Sequence, residues 1–268
     1  MPGRPRAVKA RPGWAMGGDA GPPPLTRFYE WECERFLRDQ RRDVLWYRRL
    51  AAERGGPVLE LACGAGRVAL ALAAEGLPVL GLDLQPHMVA RATAMAAGAA
   101  SFRLGDMRDF SLGRRFALIL LPYNSLGYLL TDGEIAGCLR CVVAHLQPGG
   151  LFAFQISPFE VGEPARPRGF LARAPFEDGE LEMYEAVSAE PERHLTHYDE
   201  EYHLRRPGHP AHIFRERLTL RSIYRGEMEA LLAGAGLRAR AVHGDFLGRP
   251  YPVPGHPGGP MLFEAVHL

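Results

Sequence analysis

Residues Val58 to Leu70 read VLELACGAGRVAL, and GLDL follows at Gly81 to Leu84. An apolar run ends in Glu60, a turn carries Gly64 and Gly66, and apolar residues then recur at helical spacing from Arg67. A second apolar run ends in Asp83. Strand, tight turn, helix, strand and carboxylate make one unit of a doubly wound α/β sheet, which binds its ligand at the carboxyl ends of the strands. The glycines let the backbone turn sharply and approach a ligand with no Cβ in the way. The free N–H groups of the following helix favour a polar or negative group at the same place. Asp83, at the tip of its strand, is placed to accept hydrogen bonds from two ribose hydroxyls.

The identity of the nucleotide is a separate question. Gly64-Ala65-Gly66-Arg67-Val68-Ala69 fits the dinucleotide fingerprint G-x-G-x-x-A. Glu60 argues against a dinucleotide, because a carboxylate facing that pocket repels a pyrophosphate. It suits a cation carrying an ammonium and a sulfonium.

With Glu60, Ala62, Gly64 and Gly66 in register, the stretch resembles the first motif of the class I S-adenosylmethionine-dependent methyltransferases, with Ala62 in place of the first glycine. Further segments resemble later motifs in the family's order: GDMRDF (Gly105 to Phe110), PYNSLGYL from Pro122, and LRCVVAHLQPGGLFAFQI (Leu139 to Ile156). The resemblance implies S-adenosylmethionine as cofactor, with Asp106 reading the adenine amine and Met107 packing on the ring. It implies further cofactor contacts at Glu60, Ala62, Gly64, Gly66, Arg67, Asp83, Leu84, Met88, Leu121 and Tyr123. Tyr29 and Tyr47, on helices before the core, either line the pocket or pack on the sheet. GDMRDF followed by a tyrosine-glycine loop resembles the branch with glycine/sarcosine and amino-sugar N-methyltransferases. The implied reaction is in-line displacement of the methyl group by an amine or hydroxyl of a small molecule.

The fold expected is a Rossmann-like, doubly wound seven-stranded α/β sheet with an inserted antiparallel β lid. Residues 1–24 are Gly/Pro/Arg-rich and read as a disordered tail, with Met16 a possible start. Residues 25–156 hold N-terminal helices and the cofactor-binding core. Strands are expected at Val58–Leu61, Val79–Leu82, Ser101–Leu104, Ala117–Leu121 and Leu151–Gln155, alternating with helices, which implies a parallel sheet. Asp43 is placed to cap a helix. Residues 157–217 read as the lid, which also offers a homodimer surface. It opens with a Pro/Arg loop over 162–173, and strands follow at Leu181–Val187, Thr196–Leu204 and His212–Tyr224. Residues 218–268 complete the core sheet.

No catalytic residue is fixed by the pattern. Tyr123 and Asn124, just past the fourth strand, are candidates to orient a nucleophile. His197, among the histidines of the lid, is a candidate general base, and His243 to Phe246 is a further segment within reach of a substrate. Cys138, Cys141 and His145 share a helix face, but they lack a fourth ligand and sit among apolar residues, so no metal site is expected.

The 268 residues carry a formal net charge of +1, which gives no footprint for nucleic acid. No apolar run reaches membrane-spanning length. Lys9 is the only lysine, and the Ala, Gly, Pro and Arg content suits a GC-rich bacterial genome. Four scattered cysteines form no disulfide framework, and a cytoplasmic enzyme is the expectation. Two alternatives stand: an RNA- or protein-modifying methyltransferase, and a non-catalytic cofactor-binding subunit.

Overall fold

A computed structural model describes residues 27–29, 31–32, 41–157, 165–254 and 259–268. The expected tail, the alternative start at Met16 and Cys33 lie outside the described residues. Helix α1 spans Arg41–Arg54 and follows helical residues at 27–29 and 31–32. Seven strands then build one sheet: β1 Val58–Leu61, β2 Val79–Asp83, β3 Ser101–Leu104, β4 Phe116–Leu121, β5 Leu146–Ile156, β10 Leu237–His243 and β11 Met261–His267. Their order is β10-β11-β5-β4-β1-β2-β3. Only β11 runs against its neighbours. Strand order reverses between β4 and β1, which places a crevice beyond their carboxyl ends.

The residue types explain the layers. VLEL of β1 is buried throughout, as is nearly all of FALILL in β4, the signature of parallel strands covered on both faces. Helices α2 (Arg67–Ala73), α3 (Pro86–Ala96), α4 (Asp132–His145) and α5 (Arg225–Gly234) supply that cover. One core joins Leu59, Leu61, Phe152, Phe154 and Phe263 to α4 and α5. The opposite face packs Val58, Leu118 and Leu120 against Trp46, Tyr47 and Leu50 of α1.

Between β5 and α5 stands a second, antiparallel sheet of β6 (Arg166–Phe176), β7 (Gly179–Glu190), β8 (Leu195–Arg205) and β9 (His212–Arg221), in that order. The loop expected over 162–173 is therefore corrected: from Arg166 onward it is an edge strand. An edge tolerates Pro167 and Pro175, since a missing N–H can face solvent there. Tyr224, expected at the end of β9, is instead the N-cap of α5. Side chains alternate between the faces of this sheet. Along β8, Asp199 and Glu201 face solvent and pair with Arg217 and Arg215 of β9.

Candidate active site

The turn after β1 is built by tertiary contacts. Gly64 and Gly66 both take left-handed backbone (φ 53° and 86°), as does Ala62 at 49°. A Cβ on Gly66 would sit 2.9 Å from the Phe102 ring, whereas one on Gly64 would meet only Tyr29, at 3.6 Å. Gly66 therefore serves packing and opens helix α2, and Gly64 is the one that lies open to a ligand. The backbone N–H of Gly64 donates to Oδ2 of Asp83 at 2.7 Å, and that of Gln85 to Oδ1 at 2.9 Å. Burial raises the pKa of Asp83, against these bonds.

Glu60 is buried in β1. Its Oε2 accepts from the N–H of Ala69 at 2.6 Å and so caps the third residue of α2. Burial pushes its pKa up to about 8. Asp43 lies within the first turn of α1, where its Oδ1 accepts from the N–H of Val44 at 2.6 Å. Buried completely, it grips Arg67 at two points, Nη1 to Oδ1 at 2.8 Å and Nη2 to Oδ2 at 2.5 Å. Beyond β3, Arg108 holds both oxygens of Asp106 through Nε at 2.9 Å and reaches Glu134 at 2.8 Å. Burial works against the charge on Asp106, but the bonds to Arg108 outweigh it and lower its pKa.

After β4, Tyr123 and Asn124 are both left-handed (φ 59° and 39°). Such backbone in a bulky residue is strained and often marks a functional loop. Asn124 Oδ1 accepts from Ser157 N at 2.9 Å, while its buried Nδ2 has no partner among the described residues. Gln155, at the end of β5, has an unpartnered Oε1.

These groups converge on a cavity of about 520 Å³ between the two sheets, within the range of small-ligand sites. Of the residues singled out in the sequence, Glu60, Ala62, Gly64, Arg67, Asp83, Leu84, Met88, Asp106, Met107, Tyr29, Tyr123 and Asn124 line it. Three expected residues do not. Leu121 is wholly buried within the core, Gly66 turns toward Phe102, and Tyr47 is buried against Trp46 on the far face of the sheet. His197 is also absent from the wall. It sits on the other face of β8, bonded to Thr219 Oγ1 at 2.9 Å and Glu190 Oε1 at 2.8 Å. His243 bonds to Gly248 O and to Glu264 Oε1 away from the cavity. On α4, His145 spends both ring nitrogens on backbone: Nε2 accepts from Leu112 N and Nδ1 lies 2.7 Å from Cys141 O.

Sequence reasoning missed the lid's share of the wall, Glu185, Tyr198, Glu200 and Leu218, together with Glu32 from the helical residues before α1 and Tyr128 and Gln155 from the core. The signal was available in β8, where Tyr198, Glu200 and Tyr202 recur every second residue. Among the described residues, six carboxylates line the cavity (Glu32, Glu60, Asp83, Asp106, Glu185, Glu200). The two arginines there, Arg67 and Arg108, are held by Asp43 and by Asp106 with Glu134. Such a wall suits cationic ligands.

Comparison with known proteins agrees. Residues 58–150 match a family model described as a methyltransferase domain. A dTDP-3-amino-3,6-dideoxy-alpha-D-glucopyranose N,N-dimethyltransferase of Streptomyces fradiae is 30% identical over 211 residues, 78% of this chain and 76% of that protein. The chain belongs to the class I S-adenosylmethionine-dependent methyltransferases. A second relative, a dTDP-3-amino-3,4,6-trideoxy-alpha-D-glucopyranose N,N-dimethyltransferase of Streptomyces venezuelae, is 28% identical over 72% of this chain and 79% of its own. The CcbJ methyltransferase of Streptomyces caelestis superposes with a TM-score of 0.68 at 26% identity, covering 94% of this chain and 93% of that one. A match of 211 residues cannot be confined to the cofactor core, so it takes in the second sheet as well. This methyltransferase uses S-adenosylmethionine. The residues present fit that cofactor: the open side of Gly64 is a cradle that a Cβ would fill, and the carboxylates suit its ammonium and sulfonium. The alternatives of a macromolecular acceptor and of a non-catalytic subunit gain no support.

Proposed function

We propose that this methyltransferase N-methylates a small amine of the amino-sugar class. The observation that carries the reading is the cavity wall: its two arginines are already bound, and of its six carboxylates only Asp106 and Glu185 are paired with arginines among the described residues, Arg108 and Arg166. An amine is cationic in water near neutral pH; a sugar hydroxyl is not. The two Streptomyces relatives are amino-sugar N,N-dimethyltransferases by name, and their likeness extends past the core.

On this reading the wall divides in two. Glu60, Gly64, Asp83, Leu84, Met88, Asp106 and Met107 hold the cofactor, with Asp83 on the ribose and Asp106 on the adenine amine. Tyr29 and Arg67 close that end, with Ala62 shaping the turn. When bound, S-adenosylmethionine supplies a methyl group on a positively charged sulfur. Tyr123 and Asn124 orient the acceptor, and the second sheet is the lid that encloses it. Enclosure aligns the two reactants, an effect worth about 7–11 kcal/mol where alignment is good.

Among the described residues no helix is long and apolar enough to cross a membrane. With bacterial relatives and an arginine-rich composition, we place the enzyme in the bacterial cytoplasm. A homodimer would form along the exposed apolar edges of the lid, Phe170 on β6 and Ile213 on β9.

The test is mass spectrometry of reactions containing S-adenosylmethionine and dTDP-3-amino-3,6-dideoxy-α-D-glucopyranose, the same amino sugar without nucleotide, and the 3-hydroxy analogue. The amines should gain one or two methyl groups. Methylation of the hydroxy analogue alone would overturn the reading.

A further inference from the structure

The inner face of the lid carries a row of like charges. Glu185 of β7, Glu200 of β8 and Glu216 of β9 are direct cross-strand neighbours. Like charges placed opposite one another destabilise a sheet, and Glu185, paired with Arg166, is at one end of the row with Glu200 at its centre. Glu32, from the helical residues before α1, meets it from the core side. The hydroxyl of Tyr202 lies 2.6 Å from Glu32 Oε1 and 2.7 Å from Glu200 Oε2.

Proton counting gives this arrangement a chemical meaning. A phenol has one O–H and can donate to one carboxylate only. The second short contact is a hydrogen bond only if the other carboxyl brings a proton of its own. The chain Glu32–Tyr202–Glu200 thus holds one carboxylic acid proton and one negative charge. Glu32 and Glu200 stand at the cavity wall with Tyr202 buried behind them. Two amide ends in the same wall, Gln155 Oε1 and Asn124 Nδ2, are buried without partners among the described residues, on residues only 5% and 8% exposed. Buried polar atoms of this kind call for a polar ligand.

We propose that Glu32 and Glu200, coupled through Tyr202, form the subsite for the acceptor's ammonium group and take its proton before methyl transfer. The proposal rests on the amine reading above. The ionised member of the pair accepts one proton from the ammonium nitrogen, leaving a neutral amine. The freed lone pair forms the nitrogen–carbon bond while the carbon–sulfur bond breaks and its electron pair stays on sulfur. The nitrogen then carries the positive charge, and the pair, now doubly protonated, returns one proton to solvent. Burial pushes the pKa of both carboxyls up, helped by repulsion from Glu200 at Glu32 and from Glu216 and Glu185 at Glu200, toward the pH at which an amine gives up a proton. Among the described residues, the charged and titratable groups around the pair are Glu185 (which is bonded to Arg166), and separately Glu216 and Tyr128.

Two readouts decide the matter. The first is carbon-13 NMR of the whole enzyme labelled at the glutamate carboxyl carbons, titrated with pH. Glu32→Gln and Glu200→Gln assign the signals, and each is isosteric and removes charge from a repulsive cluster. The pair should titrate in two separated steps, the upper one near or above neutrality, and Tyr202→Phe should narrow the separation. Titration of both carboxyls together in the ordinary range near 4.3 would overturn the proposal.

The second readout is the pH profile of kcat/KM with S-adenosylmethionine and dTDP-3-amino-3,6-dideoxy-α-D-glucopyranose. Glu200→Gln should lower kcat/KM about 100-fold at neutral pH. The loss should shrink as pH rises and the amine arrives already neutral. A loss constant with pH would mean a structural role and would also overturn the proposal. If the wild type does not turn over this acceptor, the amino-sugar reading falls, and the NMR titration still decides the pair.

Discussion

The N–H of Gly64 donates to Oδ2 of Asp83 at 2.7 Å, so the turn after β1 and the carboxylate after β2 are joined before any ligand arrives. Asp83→Ala removes both the anchor of the turn and the proposed ribose acceptor. Affinity for S-adenosylhomocysteine, measured by calorimetry, should fall by about 1.5–3 kcal/mol, the worth of hydrogen bonds to a charged group. Unchanged affinity would refute the assignment of Asp83.

The two glycines of the turn should fail differently. Gly66→Ala forces a Cβ onto Phe102 at 2.9 Å and onto left-handed backbone, which alone costs about 1–2 kcal/mol. Its loss should appear in urea unfolding, and Phe102→Leu should restore part of it. Gly64→Ala carries the same backbone strain but meets no such wall, so its larger effect should be on cofactor affinity. Identical behaviour of the two variants would contradict this division.

Arg67 and Asp43 tie α1 to the start of α2. Arg67→Met leaves a fully buried carboxylate without its partner and should cost about 3–5 kcal/mol in urea unfolding. Lysine cannot reproduce a two-point bond, so Arg67→Lys should recover little. Adding Asp43→Leu to Arg67→Met should recover much of the loss, because no stranded charge then remains.

Glu60 gives the free enzyme a pH-dependent stability. Its folded pKa, about 8, lies above its ordinary value of 4.5, so folding favours the protonated form. That contribution is complete below about pH 4.5 and is lost as pH rises to about 8. Glu60→Gln should therefore flatten the fall in Tm across that window and be more stable than the wild type at its upper end. An unchanged slope would show that Glu60 is ionised in the folded protein throughout.

His197, on the solvent-side face of β8, is bonded to Thr219 and Glu190. His197→Ala should leave turnover unchanged. A large loss of turnover with the fold intact would restore it as a candidate base.

Much of the parallel core was legible in the sequence. Strands β1 and β3 fall at the expected residues, and Gly64, Asp83 and Asp106 reach the cavity. What escaped was decided by long-range packing. Gly64 and Gly66 look alike in sequence, and only the position of Phe102, some 36 residues on, separates them. Tyr29 and Tyr47 lie on similar helical patterns, and only the packing of two separate segments makes Tyr29 line the cavity while α1 buries Tyr47 against the sheet. In β8 the period of two was visible, but a one-residue choice of phase exchanges His197 for Tyr198, Glu200 and Tyr202. The edge strand β6 was hidden by its prolines and arginines, which an edge alone permits.

The cavity is shared between two sheets of different construction. Its cofactor end rests on strand tips locked into a common core, where Glu60, Gly64 and Asp83 each also hold the backbone together. Its other end is every second residue of an antiparallel ribbon, where Tyr198, Glu200 and Leu218 face the cavity beside a cluster of Leu181, Tyr202 and Leu204 that packs on Phe28 and Trp31. Selection for a new acceptor thus has a route through the cavity-facing positions of the ribbon, while that cluster and the methyl-donor end stay fixed. A lineage of such enzymes would diversify its products one ribbon position at a time.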